Sequence, residues 1–404
     1  MVTLEEVTQN EALRHQEFPV TAEQIFMAHA GVSPLPRCAA EGIREFLDTA
    51  TRHAQENARV VLRLQQTREV AAQLLNAQPD EISLIGPTSL GLSLVAAGLT
   101  WREGDEVVYY PDDYPANVYP WAALRAKGVN PVPLQPEDYG VITWSTVKRA
   151  LSARTRLVAL ASCHYLSGHR IPLAVIGQEL HKRGILFCVD GIQSVGAFPT
   201  PVDGVDFLSA DSHKWMLGPC GAGIFYVSAR TRDQLNPILL GAGNVHSPDF
   251  LAQDTLEFPH SYRKYEPGAP NLVGLCGMRA AMCLLQAWGI ERIAERLLQL
   301  RRHLVEHLHR LGFVLFPERW NERTRIQVNA ERIENDGDAW NPSAIVSAYH
   351  PNKDMEALFE SLREARIIVS LRKTRMNRLV LRFSPHAYNT EDEIDAVADV
   401  LSTA

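Results

Sequence analysis

A lysine stands between an apolar segment and a glycine-rich turn in DFLSADSHKWMLGPCGAG, residues 206–223. Bulky neighbours and the turn can hold the Lys214 side chain partly out of water. Desolvation lowers the pKa of an amine, which then is neutral and able to form a Schiff base with a carbonyl group. A surface lysine in a loop is the alternative interpretation of this segment taken alone.

A carboxylate, Asp190, ends the preceding apolar segment, GILFCVD. At the carboxyl end of a parallel strand, such a side chain points into the crevice where these sheets bind ligands. There it could pair with a protonated pyridine nitrogen and keep that ring electron-withdrawing. A helix N-cap or a strand-end turn is the structural alternative for Asp190.

Two hydroxyl residues, Thr88 and Ser89, follow the segment EISLIGP and open an apolar helical pattern. A helix N-terminus offers backbone N–H groups and the positive end of its dipole, so this turn could bind a phosphate. The sequence has no GxxxxGK[ST] motif, and no GxGxxG follows its first predicted strand. Both observations weigh against a nucleotide site of the usual kinds.

These residues lie in a region where short β-rich segments alternate with helical patterns, up to about residue 227. Such alternation predicts crossover connections and a mainly parallel sheet with helices on both faces. After a helical block at about 272–311, strand-like and helical segments mix, which predicts a smaller α+β domain. The boundary is expected within 268–289. The strand-like segments of the first region are EISLIG, EVVYYP, VNPVPL, RLVALAS, GILFCVD, VDFLSA and AGIFYVS.

The composition is that of an ordinary globular protein, with 404 residues, 46% hydrophobic and 22% charged. Forty basic and 47 acidic residues give a net charge of −7, so we expect a small-molecule partner and neither nucleic acid nor a membrane. Six scattered cysteines form no CxxC pair, and we expect no metal site. Residues 1–21 are polar and contain four glutamates, unlike a targeting segment, so a cytoplasmic location is expected.

Taken together, the motifs resemble those of the class V aminotransferase branch of pyridoxal-phosphate (PLP) enzymes. This branch includes group II cysteine desulfurases, selenocysteine lyases, kynureninases and isopenicillin-N-epimerase-like proteins. The resemblance extends from about residue 26 to the C-terminus. The segments that carry it are HAGVSPLP, GPTS, YYPDDYPANVYPW, SCHYLSG, VDGIQSVG, ADSHKWMLGPCGAG, YEPGAPN and LRFSPHAYNTEDEID.

The resemblance implies a fold type I α/β architecture, with a large PLP-binding domain around a mainly parallel seven-stranded sheet. Its expected range is 26–275, followed by a small C-terminal α+β domain, 276–404. The N-terminal segment, 1–25, is expected to pack on the small domain. A homodimer with the active site at the subunit interface is also implied.

The resemblance further implies a role for each matching residue. Lys214 would form the Schiff base with PLP and move a proton at the substrate Cα, and Asp190 would hold the pyridinium proton. Arg382 would grip the substrate α-carboxylate through its forked guanidinium group. The remaining cofactor-binding residues are Thr88, Ser89, Asp211 and His213 near the phosphate, Gln193 at the ring O3′, and Tyr114 stacked on the ring. For Tyr114 strand-end packing stays an alternative, and Asp211 could instead hydrogen-bond to backbone.

Two departures from the family pattern stand out. The desulfurase cysteine, expected shortly before Arg382, is absent from RIIVSLRKTRMNRLVLRFS, so the persulfide mechanism lacks its nucleophile unless Cys163 or Cys220 replaces it. Ala269 replaces the threonine that in many relatives reaches the phosphate in the neighbouring subunit. We therefore expect a PLP enzyme that acts on a small α-amino acid through an external aldimine, as an aminotransferase or a carbon–heteroatom (β-) lyase. A cysteine desulfurase or selenocysteine lyase, an amino-acid epimerase and a non-catalytic binding protein remain alternatives.

Overall fold

The architecture was obtained as a computed structural model, in which residues 2–318 and 338–404 are described. Residues 319–337, part of the predicted small domain, lie outside the described residues. The twelve described α-helices are Leu4–Gln9 (α1), Glu11–Glu17 (α2), Arg37–Ala50 (α3), Ala58–Leu75 (α4), Thr88–Gly98 (α5), Tyr119–Ala123 (α6), Trp144–Ala150 (α7), Leu173–His181 (α8), Leu272–Trp288 (α9), Ile290–Arg310 (α10), Met355–Glu364 (α11) and Glu391–Thr403 (α12).

Thirteen described strands form three sheets. The strands are Ile25–Phe26 (β1), Ile82–Ile85 (β2), Glu106–Tyr109 (β3), Asn130–Pro133 (β4), Thr155–Ala161 (β5), Leu186–Asp190 (β6), Phe207–Asp211 (β7), Gly223–Val227 (β8), Val314–Phe316 (β9), Val346–Tyr349 (β10), Ile367–Ile368 (β11), Ser370–Lys373 (β12) and Leu379–Phe383 (β13). The largest sheet has seven strands in the order β2-β8-β7-β6-β5-β3-β4. All its neighbours are parallel except β8, which is antiparallel to both β2 and β7.

The central strands β6, β7 and β8 are buried at every residue. Such burial is typical of parallel sheets, because the helices that connect their strands cover both faces of the sheet. Two large apolar clusters lie on the sheet, one of them continuous with helices α3, α4 and α9. The predicted α/β fold with a seven-stranded, mainly parallel sheet is therefore confirmed.

The C-terminal region builds a second layer. Strands β12, β13, β10 and β9 form a four-stranded antiparallel sheet, and its apolar cluster includes residues from α10, α11 and α12. The N-terminal segment contacts this region, because β1 pairs with β11 in parallel and Arg14 forms an ion pair with Glu393 at 2.6 Å. Met27 belongs to the same apolar cluster.

A domain boundary after residue 275 would cut α9 after its first turn. The cluster that covers the large sheet continues through Trp288 to Leu297, whereas the second cluster begins at Leu300 in the helical region. We therefore propose that the two units divide within α10 rather than at 275.

Among the described helices, no single one is long and apolar enough to cross a bilayer. Helices α9 and α10 meet the length and composition criteria only as a pair, bent by 81°.

Candidate active site

A cavity of about 340 Å³ opens at the carboxyl ends of the central parallel strands, where the sequence places most of its candidate residues. Asp190 is the last residue of β6, and Lys214 follows β7 by three residues. A parallel sheet collects strand ends on one edge, which is why residues far apart in sequence meet there. The sixteen lining residues are Ala30, Gly31, Val32, Pro87, Thr88, Ser89, Tyr114, Ala116, Tyr165, Asp190, Ile192, Gln193, His213, Lys214, Arg372 and Arg382.

Lys214 lies at the floor of this cavity and is only 7% exposed. Burial lowers the pKa of its ammonium group to about 8, although the nearby Asp190 carboxylate opposes the shift. Its backbone is fixed on both sides: the Ser33 hydroxyl donates to the Lys214 carbonyl at 2.7 Å, and the Leu217 N–H closes a turn on the same oxygen at 3.1 Å. These hydrogen bonds hold the backbone that carries the lysine, and the lowered pKa allows the amine to lose its proton more readily than an exposed lysine does.

Asp190 is buried beside this amine. Burial raises the pKa of its carboxyl group, while a hydrogen bond from the Ile192 N–H at 3.0 Å and the Lys214 charge oppose the shift. The Ser162 hydroxyl and N–H both donate to the Asp190 carbonyl. A buried carboxylate with one free oxygen is a suitable partner for a protonated ring nitrogen, because the charge pair satisfies both groups.

The predicted phosphate residues lie together at one end of the cavity. Thr88 and Ser89 form the first turn of α5, whose leading N–H groups have no partner within the helix. The Thr88 hydroxyl accepts a hydrogen bond from the Asp211 N–H at 2.9 Å, which fixes α5 against the end of β7. His213 lines the same end. Backbone donors, hydroxyl groups and an imidazole together suit a phosphate.

Asp211 is turned away from the cavity wall. One carboxylate oxygen accepts from the Ser212 N–H at 2.7 Å, and the other accepts from the Gly221 N–H at 3.1 Å. The second oxygen also lies 3.0 Å from His213 Nδ1, so a protonated imidazole would form an ion pair there. The structure therefore places Asp211 behind His213, and its contacts support the backbone-binding alternative.

Gln193 and Tyr114 also line the cavity. The Gln193 amide donates to the Ala30 carbonyl at 3.0 Å and accepts from the Trp215 indole at 2.8 Å, which leaves one N–H for a ligand. Tyr114 is 49% exposed, and its ring centroid lies 5.3 Å from Lys214 Nζ. A ring in this position is free to cover a planar ligand, but stacking of Tyr114 stays a prediction.

Two guanidinium groups close the other end of the cavity. Arg382 is buried, and its Nη1 donates to the Tyr165 carbonyl at 2.8 Å, whereas its buried Nε has no hydrogen-bond partner among the described residues. Arg372 was not predicted from the sequence; it is exposed but lines the same wall. A Cβ built on Gly31 would lie 3.9 and 4.0 Å from the Nη2 atoms of Arg382 and Arg372, so both groups face one point. Burial and the neighbouring Arg372 lower the pKa of the Arg382 guanidinium.

A second buried carboxyl group, Asp113, stands next to Tyr114 and was also missed. Burial, reinforced by the Asp190 charge, raises its pKa to about 7. It accepts from the Tyr114 N–H at 2.7 Å and from the Asn117 amide at 3.0 Å, so it fixes the loop that carries Tyr114. The signal was present in the YYPDDY segment, but nothing in the spacing showed which of the two aspartates is buried.

The cavity fits PLP on three independent features of the structure. Its phosphate end offers the free N–H groups of α5, its centre holds a buried amine with a lowered pKa, and Asp190 is a buried carboxylate within the electrostatic reach of that amine. The partnerless Nε of Arg382 points to an additional anion at the opposite end. These donor and acceptor groups match a phosphate, an aldehyde, a ring nitrogen and a carboxylate, respectively.

No cysteine among the described residues lines this cavity. Cys163 is buried, and burial raises the pKa of its thiol to about 11, which makes it a poor nucleophile. Cys220 is exposed beyond the cavity wall. Neither thiol stands where the predicted chemistry occurs.

Comparison with known proteins decides the family. The model described as "Aminotransferase class-V" matches residues 25–397. The chain belongs to the class V aminotransferase family. The family, the fold and the predicted PLP cofactor are thereby confirmed, and this class V aminotransferase homologue is a PLP-dependent enzyme.

Its relatives differ in the activity that their names state. A probable cysteine desulfurase of Methanothermobacter thermautotrophicus is 28% identical over 96% of each chain, and an uncharacterised aminotransferase of Bacillus subtilis, YcbU, is 23% identical over 96% of each. The apo cysteine desulfurase of Thermococcus onnurineus has a TM-score of 0.85 at 22% identity, covering 100% of this chain and 98% of that one. The cystine C–S lyase C-DES, in complex with cysteine persulfide, has a TM-score of 0.80 at 22% identity, covering 95% and 99%.

Proposed function

We propose that this class V aminotransferase homologue is a PLP-dependent carbon–heteroatom β-lyase that acts on a small α-amino acid with a sulfur leaving group on Cβ. The observation that carries the proposal is a cavity lined by both Lys214 and Arg382, with no thiol in its described wall. Sulfur chemistry is supported by the names of relatives, and the C–S lyase C-DES supports elimination over persulfide transfer.

Different residues of the chain would bind different parts of the cofactor. Thr88, Ser89 and His213 would hold the phosphate, and Gln193 would donate its remaining N–H to the ring hydroxyl. Asp190 would hold a proton on the ring nitrogen. When bound, PLP supplies an aldehyde that condenses with amines and a ring that accepts electron density from the substrate Cα.

Arg382 would bind the substrate carboxylate through two parallel hydrogen bonds and so fix the orientation of Cα relative to Lys214. Lys214 would then remove the Cα proton, a role that is favoured because burial lowers the pKa of its ammonium group to about 8. The elimination would break the Cα–H and Cβ–S bonds, and Lys214 could return the proton to the departing thiolate. Released 2-aminoacrylate would react with one water to give pyruvate and ammonia. The net reaction consumes one water for each thiol, pyruvate and ammonia formed.

We also propose a homodimer in which the partner completes the cavity, and a cytoplasmic location. Exposed apolar side chains in the cavity wall support the dimer, among them Val32 and Tyr114, which are 57% and 49% exposed. An apolar surface of this kind is typical of a subunit contact. The six cysteines are all free, which is typical of a reducing compartment.

Product analysis of the purified PLP-loaded protein tests the proposed reaction. Cystine, cysteine and selenocysteine are supplied in turn, and pyruvate, ammonia, alanine and sulfide or selenide are measured. The proposal expects pyruvate and ammonia in equal amounts, abolished in Lys214→Ala and retained in Cys163→Ser and Cys220→Ser. Alanine as the product would establish desulfurase or selenocysteine lyase chemistry instead.

Three further outcomes would refute elimination. Conversion of the cofactor to its amine form, reversed by a keto acid, would establish transamination. Inversion at Cα without release of ammonia would establish an epimerase. Formation of none of these products from these substrates and from a panel of natural amino acids would favour a non-catalytic binding protein.

A further inference from the structure

A group of two imidazoles and one carboxylate lies outside the cavity wall, on the packed helices α10 and α12. His303 Nε2 and His307 Nε2 each lie 2.7 Å from the same oxygen, Oδ1 of Asp395. The three ligand atoms are all within 4.8 Å of one another. We propose that these residues form a binding site for a divalent transition-metal ion of the zinc type, independent of the proposed reaction.

The helical spacing brings the two imidazoles together. His303 and His307 are four residues apart on α10, so both side chains lie on one face of the helix, and their ring centroids are 4.7 Å apart at 84°. Asp395 comes from α12, which packs across this face. Two imidazole nitrogens and a carboxylate oxygen are donors that suit Zn²⁺, with water in the remaining position.

Hydrogen bonding accounts for only part of this arrangement. His303 Nε2 makes a hydrogen bond of good geometry with Asp395, whereas the buried His307 Nε2 makes none, although the same oxygen is equally close. A cation between the three groups would use the lone pairs of both imidazoles and the charge of the carboxylate. The side chains are 30%, 17% and 48% exposed, so an ion and its water could reach the site from solvent.

A bound metal ion would stabilise the packing of α10 against α12. Arg296 and Glu391 already form an ion pair between α10 and α12, and a metal ion would add a second link. Helix α12 starts eight residues after the strand that carries Arg382, so the link would stabilise the unit that holds this arginine without contacting the cavity. The proposal departs from the expectation of no metal site. The H-x₃-H spacing of His303 and His307 does not predict a site by itself, because the third proposed ligand comes 92 residues after His303.

The test uses the PLP-loaded protein after treatment with a chelator, titrated with Zn²⁺ alone. We expect about one high-affinity ion per chain and a higher melting temperature. His303→Asn, His307→Asn and Asp395→Asn should each weaken zinc binding by more than roughly tenfold, because each removes a direct ligand. His15→Asn is the matched control, because His15 is 32% exposed and also faces a carboxylate, Glu11, but belongs to no such cluster.

Cobalt provides a second readout, since Co²⁺ in the site should give visible d–d bands that the three ligand variants lose and His15→Asn keeps. Circular dichroism and the cofactor absorption show whether each variant is folded. Equal zinc affinity in the wild type and the folded ligand variants would overturn the proposal, as would absence of binding to the wild type. Failure of the lyase assay would leave this test unaffected, so the two proposals are judged separately.

Discussion

Replacement of Arg382 by glutamine should weaken amino-acid binding far more than it slows the chemical step. The side chain is 1% exposed, and its only strong hydrogen bond among the described residues goes from Nη1 to the Tyr165 carbonyl. Its contact with the Ser370 hydroxyl is long, at 3.5 Å, and Nε has no partner. Most of its donors thus remain for a ligand carboxylate.

The size of the effect follows from these contacts. Removing one member of a buried, hydrogen-bonded charge pair costs about 2–5 kcal/mol, and we take about 3 kcal/mol because Arg372 is close enough to compensate in part. This corresponds to a Kd for the amino acid that is roughly 150-fold higher. Arg382→Lys keeps the charge but loses the forked geometry, so its Kd should lie between those of the glutamine variant and the wild type.

The assay is titration of the PLP-loaded protein with an amino acid, followed by the change in cofactor absorption, together with steady-state kinetics. We expect KM to rise with Kd while kcat falls much less. Arg372→Gln is the matched control and should raise Kd by roughly tenfold or less, because Arg372 is exposed and retains its hydration. A larger effect in Arg372→Gln than in Arg382→Gln would refute the assignment, since Arg372 would then hold the carboxylate.

Three other perturbations have defined outcomes. In the cofactor-free protein, covalent attachment of PLP should become faster as pH rises through about 8, because Lys214 then loses its proton. Stopped-flow absorbance measures the attachment rate, and a rate that does not change with pH would contradict the lowered pKa of Lys214. Asp190→Asn should lower kcat by roughly 100-fold. It should also shift the pH profile of PLP attachment to lower pH, because the Asp190 carboxylate raises the pKa of Lys214. A shift to higher pH would contradict the charge pair between Asp190 and Lys214. Gly91→Ala should destabilise the protein by about 1–3 kcal/mol in urea unfolding, because its Cβ would collide with the Ser209 hydroxyl; unchanged stability would show that α5 can move.

The parts of the fold that the sequence predicted are those governed by local pattern. Apolar segments that end in Asp190 and precede Lys214 are strands buried on both faces, and burial makes such segments uninterrupted and easy to recognise. The small α+β domain over 276–404 stays a prediction; the described residues of this region include a four-stranded antiparallel sheet packed against helices. The boundary that we propose within α10 lies after residue 275 because α9 continues the packing of the large unit through residues 276–288, and a helix pattern does not show which core it covers.

A site residue could be predicted where its own sequence context is distinctive. It could not be predicted where its role depends on a second residue far away in the sequence. Lys214 stands in a distinctive glycine-rich turn, whereas Arg372 looks like an ordinary arginine in an exposed strand until the structure places it beside Arg382. Asp113 gains its raised pKa from burial and from Asp190, both of which depend on tertiary packing.

The charged residues that line the cavity indicate what the site binds, but they do not indicate which reaction it catalyses. Lys214, Arg372 and Arg382 face a single lining carboxylate, Asp190. Because unpaired buried charge is costly, the surplus of positive charge favours two anionic groups, a phosphate at the α5 end and a carboxylate at the arginine end. A phosphate and an amino-acid carboxylate would be bound alike in transamination, elimination and persulfide transfer, so the charge balance does not distinguish among these reactions. Persulfide transfer would further require a thiol near the substrate sulfur, and no cysteine lines the described wall of the cavity.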